Sequence, residues 1–401
     1  MEPTTRSRFW PLVLCWVIVA LDGFDLVVLG TVIPTLLSTR ELGFDAPAAT
    51  AVATAGLVGV GIGALTVGPL ADRYGRRLCL LLCVSVFSVL TLAIVIAPDV
   101  FVFGLLRVLA GIALGACLPV VIAYVTDLMP RERAGKATTL TMTGYHAGAV
   151  LTALLALAVI PDWRVLFAIG GIAGLVTVPL IRITLPEERS ERQAGRRPTV
   201  RRLVERPYRT VSIGVWAASF MGLLLVYGLN TWLPQLMRDA GYGSTDSLGL
   251  LLVLNAGAVT GLILAGIVAD RSGTKRVAMA WFALSGLLLA FLSIRLEDVT
   301  MLYVAVFVTG VFVFSAQVLV YAFVTQLYPP EIRGTALGFA AGIGRLGAIM
   351  GPAITGLLVS EGLAYPGGFY VFAASALLAV GALAIIPARA RVAAEPVAAP
   401  K

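Results

Sequence analysis

Apolar stretches of about twenty residues recur along this whole 401-residue chain, and each is long enough to cross a bilayer. Spans are predicted near 10–36, 49–70, 78–97, 100–125, 136–160, 164–185, 210–235, 247–269, 277–295, 299–325, 335–360 and 367–387. Backbone groups in lipid must be satisfied within the protein, which leaves helices or a closed barrel. The runs are continuous rather than alternating with period two, so helices are expected. With 59% hydrophobic and 13% charged residues, the chain reads as an all-α polytopic membrane protein with twelve transmembrane helices.

The net charge of +8 raises the question of nucleic acid, and the distribution of the charge answers it. With the N-terminus inside, 24 of the 30 Lys and Arg fall in cytoplasmic segments. Arg40, Arg164, Arg238 and Arg295 fall outside, and Arg107 and Arg345 lie within spans. That asymmetry sets topology, with both termini cytoplasmic, and argues against nucleic-acid binding. The first apolar run follows Arg6 and Arg8, but it is too long for a signal peptide and reads as a retained helix. Cys15, Cys79, Cys83 and Cys117 all fall in spans without metal-ligand spacing, so neither a metal site nor a disulfide framework is expected.

The chain repeats itself. "GPLADRYGRR" (68–77) returns as "GIVADRSGTKR" (266–276), "VTDLMPRERAGKA" (125–137) as "VTQLYPPEIRGTA" (324–336), and "IPTLL" (33–37) as "LPQLM" (233–237). The offsets are 198, 199 and 200, which divides the spans six and six around a basic segment. Three units are expected: an N-terminal six-helix bundle (1–185), a cytoplasmic linker (186–209) and a C-terminal six-helix bundle with a short tail (210–401). The linker has the composition of a polar segment, part of it able to lie on the membrane as an amphipathic helix. Internal duplication in such a protein points to a transporter with its substrate site near the midplane between the halves.

Gly68-Pro-Leu-Ala-Asp72-Arg73-Tyr-Gly75-Arg76-Arg77 resembles the loop 2–3 signature of the major facilitator superfamily, and Arg107-x-x-x-Gly111-x-x-x-Gly115 resembles its fourth-helix pattern. The resemblance covers the whole chain and implies two pseudo-symmetric six-helix bundles rocking around a central cavity. Gly68 and Gly75 suit a tight turn and close approach. Asp72, Arg73 and Arg76 are gating candidates, joined by Asp127, Glu132 and Arg133 at the end of the fourth helix. The competing reading of this cluster is a static topology anchor.

Of the 22 acidic residues only Asp22 and Asp25 lie deep within a span. Three apart, they share one face of a helix. Residue 22 lies roughly 18 Å from the inner end, near the bilayer centre. Carboxylates there are costly, and a pair able to take and release a proton is what proton coupling requires. Arg107 is expected to pair with them. Arg345, roughly 15 Å into the eleventh helix, maps through the repeat onto His146, the chain's one histidine. The two could bracket an anion, with the arginine fork on a carboxylate and the histidine donating or exchanging a proton. Phe24, Tyr145, Tyr227, Trp232, Phe314 and Tyr321 could sandwich a flat ring, and Asn230, Asn255 and Gln317 could supply neutral hydrogen bonds. Packing is the competing role for each aromatic.

Asp22-Gly-Phe-Asp25 resembles the aromatic acid:proton symporter branch of the superfamily, and "YGLNTWLPQLMRDAGY" (227–242) with "LLLVLNAGAV" (250–259) is most similar to its benzoate-type members. The resemblance implies uptake of an aromatic carboxylate together with protons across a bacterial-type cytoplasmic (inner) membrane. It also implies functional roles for Asp22, Asp25, Arg107 and Arg345. No cofactor is expected beyond the proton gradient, and a monomer is expected. Another organic-anion carrier or a drug/proton antiporter is the alternative. The latter is weakened because helix 5, "GYHAGAVLTALLAL", lacks the Gly-Pro motif usual in drug antiporters. A non-transporting sensor is more remote, and no nucleophile–base or metal set suggests an enzyme.

Overall fold

A computed structural model describes residues 5–129, 131–186, 201–206 and 208–387. Thirteen α-helices run in the order α1 (Thr5–Thr39), α2 (Ala46–Tyr74), α3 (Arg76–Ile94), α4 (Val100–Leu128), α5 (Arg131–Val159), α6 (Trp163–Thr184), α7 (Arg201–Val204), α8 (Arg209–Asp239), α9 (Ser244–Ser272), α10 (Thr274–Phe291), α11 (Val299–Leu327), α12 (Pro330–Ser360) and α13 (Ala364–Ala384). Twelve of them, all but α7, are long and apolar enough to cross a membrane, as the hydropathy pattern predicts. The ninth span ends at Phe291, four residues short of its predicted end at 295.

Helix ends follow from local chemistry. Asp45, Asp99 and Asp298 cap α2, α4 and α11 with side-chain oxygens that accept from the first free backbone N–H groups. Gly75 between α2 and α3 and Gly273 between α9 and α10 both hold φ +88°, a conformation that side chains disfavour. These two glycines occupy equivalent places in the "ADRYG" and "ADRSG" repeats, so the duplicated sequence codes a duplicated turn.

The repeat also shows in the packing. α1 lies against α5 and α2 against α4, and their counterparts α8 with α12 and α9 with α11 pair in the same way. Where these helices cross, glycine lets backbone meet backbone. An ideal Cβ would fall 1.8 Å from Ala20 O at Gly148, and 1.9 Å from Phe220 O at Gly347. The matched positions Gly63 and Gly261 approach Ile112 O and Val311 O in the same manner. Without a hydrophobic force between helices in lipid, such close van der Waals packing is the main source of cohesion. Large apolar side chains such as Leu65, Ile96, Phe101 and Ile183 face outward, as expected for a lipid-exposed belt.

Contacts between the two sets of six helices run through α1–α8, α2–α12 and α5–α9. Several cluster where α1 ends and α2 begins. Arg238 Nη1 donates to Pro34 O at 2.7 Å, Gly30 abuts the Asn230 and Thr231 carbonyls, and Gly356 abuts Thr50. On this same side Glu41 accepts from Trp163 Nε1 at 2.8 Å and pairs with Arg164, whose guanidinium lies over the Trp163 ring. Residues 187–200 of the predicted linker lie outside the described residues. Its end forms the single turn α7, with Leu203 buried.

Candidate functional site

α1 carries both midplane aspartates, and the neighbouring helices treat them differently. Asp25 is 3% exposed, and its carboxylate is fully engaged. Arg107 Nη1 of α4 donates to Oδ2 at 2.7 Å, and Thr91 of α3 donates to Oδ1 at 3.1 Å. Arg107 Nη2 also donates to the Asp25 backbone carbonyl at 3.2 Å. Asp22 is equally buried, at 4%, yet forms no hydrogen bond or ion pair among the described residues. The charges that act on it are Arg345 of α12 and its neighbour Asp25. The predicted pairing of Arg107 with the α1 aspartates is thus confined to Asp25.

Arg345 donates from Nη1 to the Tyr227 hydroxyl at 2.9 Å, its one hydrogen bond among the described residues. Tyr145, Tyr227 and Tyr321 lie near Arg345, and Tyr145 and Tyr227 also lie near Asp22. A guanidinium committed to one phenol retains most of its donors for a ligand. His146 is buried, stacks edge-on against Tyr145 and against Phe314 of α11, and leaves Nδ1 without a partner. His146 thus reaches Phe314 of the second six-helix set, and Arg345, its counterpart in the repeat, bonds Tyr227 within that set.

The neutral polar residues divide into two groups. Asn255 of α9 donates to Asn230 Oδ1 at 3.0 Å and to Leu251 O at 3.1 Å. Gln317 donates to Ser219 Oγ, which donates in turn to Ala340 O, tying α8 to α11 and α12. A small cavity lies between the halves, lined by Arg107, Tyr145, Tyr227, Asn230 and apolar side chains that include Leu26 and Leu57.

Two predicted ring-binding aromatics face elsewhere. Phe24 packs against Gly170 of α6, and Trp232 is fully buried with its indole N–H donating to Pro352 O. The lining of the cavity includes Tyr145, Tyr227 and Asn230, and not Phe24, Trp232, Phe314, Tyr321, His146, Asn255, Gln317 or Arg345. Phe24 and Trp232 both sit on helices that also bear site residues, but they project from another face. Thr91 and Ser219 were not legible as site residues, since small hydroxyl residues are common in membrane helices and carry no distinguishing spacing.

The gating candidates are resolved unevenly. Gly75 is the turn residue described above. Arg76 Nη1 donates to Ala123 O at 2.6 Å, anchoring α3 on α4 within the first half, and Arg73 is exposed over the Tyr74 ring. The side-chain surroundings of Gly68, Asp72, Asp127, Glu132 and Arg133 lie outside the described residues.

Twelve membrane-spanning helices in duplicated sixes, with a polar, charged centre between them, define a membrane carrier of the secondary-transporter type. The chain belongs to the Major Facilitator Superfamily, whose family model matches residues 15–264 and 244–401. It is 35% identical to the gentisate transporter of Corynebacterium glutamicum, covering 92% of this chain and 86% of that one. It is also 35% identical to the gallate transporter of Pseudomonas putida (91% and 88% covered) and 30% identical to the benzoate transport protein of Acinetobacter baylyi (92% and 86%). The fold matches the crystal structure of a D-xylose-proton symporter with a TM-score of 0.76 at 17% identity, over 94% of this chain and 97% of that one. The family and these relatives are transporters, not enzymes.

Proposed function

We propose that this protein is a proton-coupled symporter that imports an aromatic carboxylate by rocker-switch alternating access. The observation that carries the reading is the inequivalence of the two midplane aspartates. Asp25 is paired with Arg107 and bonded by Thr91, whereas Asp22 has no hydrogen-bond partner among the described residues and has Arg345 as its nearby cation. Asp22 is therefore the carboxyl free to exchange a proton, and Arg345 is the cation free to accept an anion. Relatives named for gentisate, gallate and benzoate supply the cargo class, a carboxylate on an aromatic ring.

The two groups are linked by charge. While Asp22 is ionised it competes with an incoming carboxylate for Arg345. Protonation of Asp22 from the outer side removes that competition and leaves Arg345 to grip the substrate, with Tyr145, Tyr227 and Tyr321 around the ring. Rocking of the six-helix units then exposes the pair to the other side. Loss of the proton restores the Asp22 charge and expels the anion. His146, at the pseudo-symmetric position, lies edge-on against Tyr145 and Phe314 with Nδ1 free of partners among the described residues. The contacts at Arg238–Pro34 and Thr50–Gly356 join the two halves at the end opposite the linker. The lysine and arginine distribution supports cytoplasmic termini in a bacterial inner membrane, and one chain carries both halves of the site.

The test is uptake into proteoliposomes with an imposed proton gradient, using radiolabelled aromatic acids and an internal pH dye. Accumulation with acidification of the lumen is expected. Asp22→Asn is expected to abolish gradient-driven accumulation while retaining substrate exchange. Full accumulation by Asp22→Asn would refute the coupling role.

A further inference from the structure

The small cavity beside the Asp25–Arg107 pair is lined by three side chains that each carry a buried polar atom without a hydrogen-bond partner among the described residues. These atoms are Arg107 Nε, the Tyr145 hydroxyl and Asn230 Nδ2. Arg107 and Tyr145 belong to α4 and α5 of the first six-helix set, and Asn230 belongs to α8 of the second. The rest of each polar group is already committed. Arg107 gives both terminal nitrogens to Asp25, which leaves Nε. Asn255 donates from Nδ2 to Leu251 O and to Asn230 Oδ1, which leaves Asn230 its own NH2 group. The Tyr145 hydroxyl can donate or accept.

The chemistry of these three groups selects the occupant. The cavity measures about 10 Å³, the space of a single water, so a ring or a carboxylate is too large. Two fixed donors exclude a cation. The Arg107 charge is already matched by Asp25, so an anion would find no uncompensated charge. A water meets every demand, because its oxygen accepts from Arg107 Nε and Asn230 Nδ2 while one hydrogen goes to the Tyr145 oxygen. Three bonds are the usual number for a buried water.

We propose that this cavity binds one water that latches the two six-helix sets together, joining the Asp25–Arg107 pair to Asn230 across their interface. The latch lies beside the contact where Gly30 of α1 abuts the Asn230 and Thr231 carbonyls of α8. A motion that parts α1 from α8 also draws Asn230 away from Arg107, so the bridge holds only while the end opposite the linker is closed. The water site stands on the geometry alone, whereas the latch rests on the rocking motion proposed above.

Radical footprinting of the full chain in proteoliposomes, started just after mixing into heavy-oxygen water, reads the site. A held water exchanges slowly, so the Tyr145 adduct is expected to keep light oxygen when that of exposed Tyr74 has become heavy. Gly56 also lines the cavity, and an ideal Cβ there lies 3.8–3.9 Å from Arg107 Cβ, O and Nε, ordinary contact that removes no polar group. Gly56→Ala is expected to abolish the slowly exchanging adduct. In a Thr50→Cys background, Gly56→Ala and Asn230→Leu are each expected to speed labelling by an impermeant maleimide about fivefold or more, the shift for losing one hydrogen bond. A fully exchanged Tyr145 adduct in the native protein, or a slow adduct that survives Gly56→Ala, would overturn the water site. Labelling that responds to an aromatic acid but to neither variant would overturn the latch alone. Labelling that responds to neither the acid nor the variants would overturn the rocking reading and the latch with it.

Discussion

Replacing Arg107 with methionine keeps most of the side-chain length but removes the guanidinium, and the structure sets the consequence. Asp25 would lose the 2.7 Å bond to its Oδ2 and the 3.2 Å bond to its backbone carbonyl, keeping the Thr91 hydroxyl at 3.1 Å. Both partners are about 95% buried, so water cannot replace what is lost. Breaking a buried pair by removing one member costs about 3–5 kcal/mol in soluble proteins. Polar contacts in membrane proteins tend to be worth less, because the unfolded helices also find partners in lipid. About 3 kcal/mol is therefore expected for Arg107→Met. Asp25→Asn/Arg107→Met leaves no orphaned charge and should recover about 2 kcal/mol of this. The assay is reversible denaturation in mixed micelles at pH 8, run as a double-mutant cycle. A cost below about 1 kcal/mol for Arg107→Met, or additivity of the two substitutions, would show that the Arg107–Asp25 contact does not couple the two helices energetically.

Arg345→Ala should weaken aromatic-acid binding at least about tenfold, measured by displacement of a bound label, since it removes the uncommitted cation. Gly148→Val should cost about 1–3 kcal/mol or more in the same denaturation assay, because even the first carbon of a side chain meets Ala20 O. Arg238→Ala removes the bond to Pro34 O across the halves and should speed labelling of Thr50→Cys by an impermeant maleimide in right-side-out vesicles, reporting outward opening. At the loops opposite the linker, the Trp163 N–H bond, and next the Arg164 charge, hold the Glu41 carboxyl below the usual carboxylate range. A depressed value means the clamp contributes fully above ordinary carboxylate pKa values and is lost as pH falls through the lower folded value. Trp163 emission should therefore change only below about pH 4, and Glu41→Gln should lack that transition.

How much was legible in the residues varies with the kind of contact. The twelve helices came from apolar run length, and the paired turns at Gly75 and Gly273 from the repeat, because both are set by the chain's own local chemistry. The position of Asp22, Asp25, His146 and Arg345 along their helices was also legible, since depth in a helix is a count of residues times a fixed rise. Phe24 and Trp232 show where that counting stops: depth placed them beside the site, but helix rotation turned one onto Gly170 and the other onto Pro352.

What the sequence by itself determined, then, is a duplicated twelve-helix membrane carrier with two acids and two bases at mid-depth. Only the tertiary structure decided that Arg107 takes Asp25 and leaves Asp22 with Arg345 as its nearby cation, and that Asn255 bonds the side-chain oxygen of Asn230. Residues three apart on α1 project about 60° from one another, enough to reach different neighbours. Which neighbour each one meets depends on how α3, α4 and α12 cross and rotate against α1. Those angles come from glycine-mediated packing between segments far apart in the chain, which no local periodicity records.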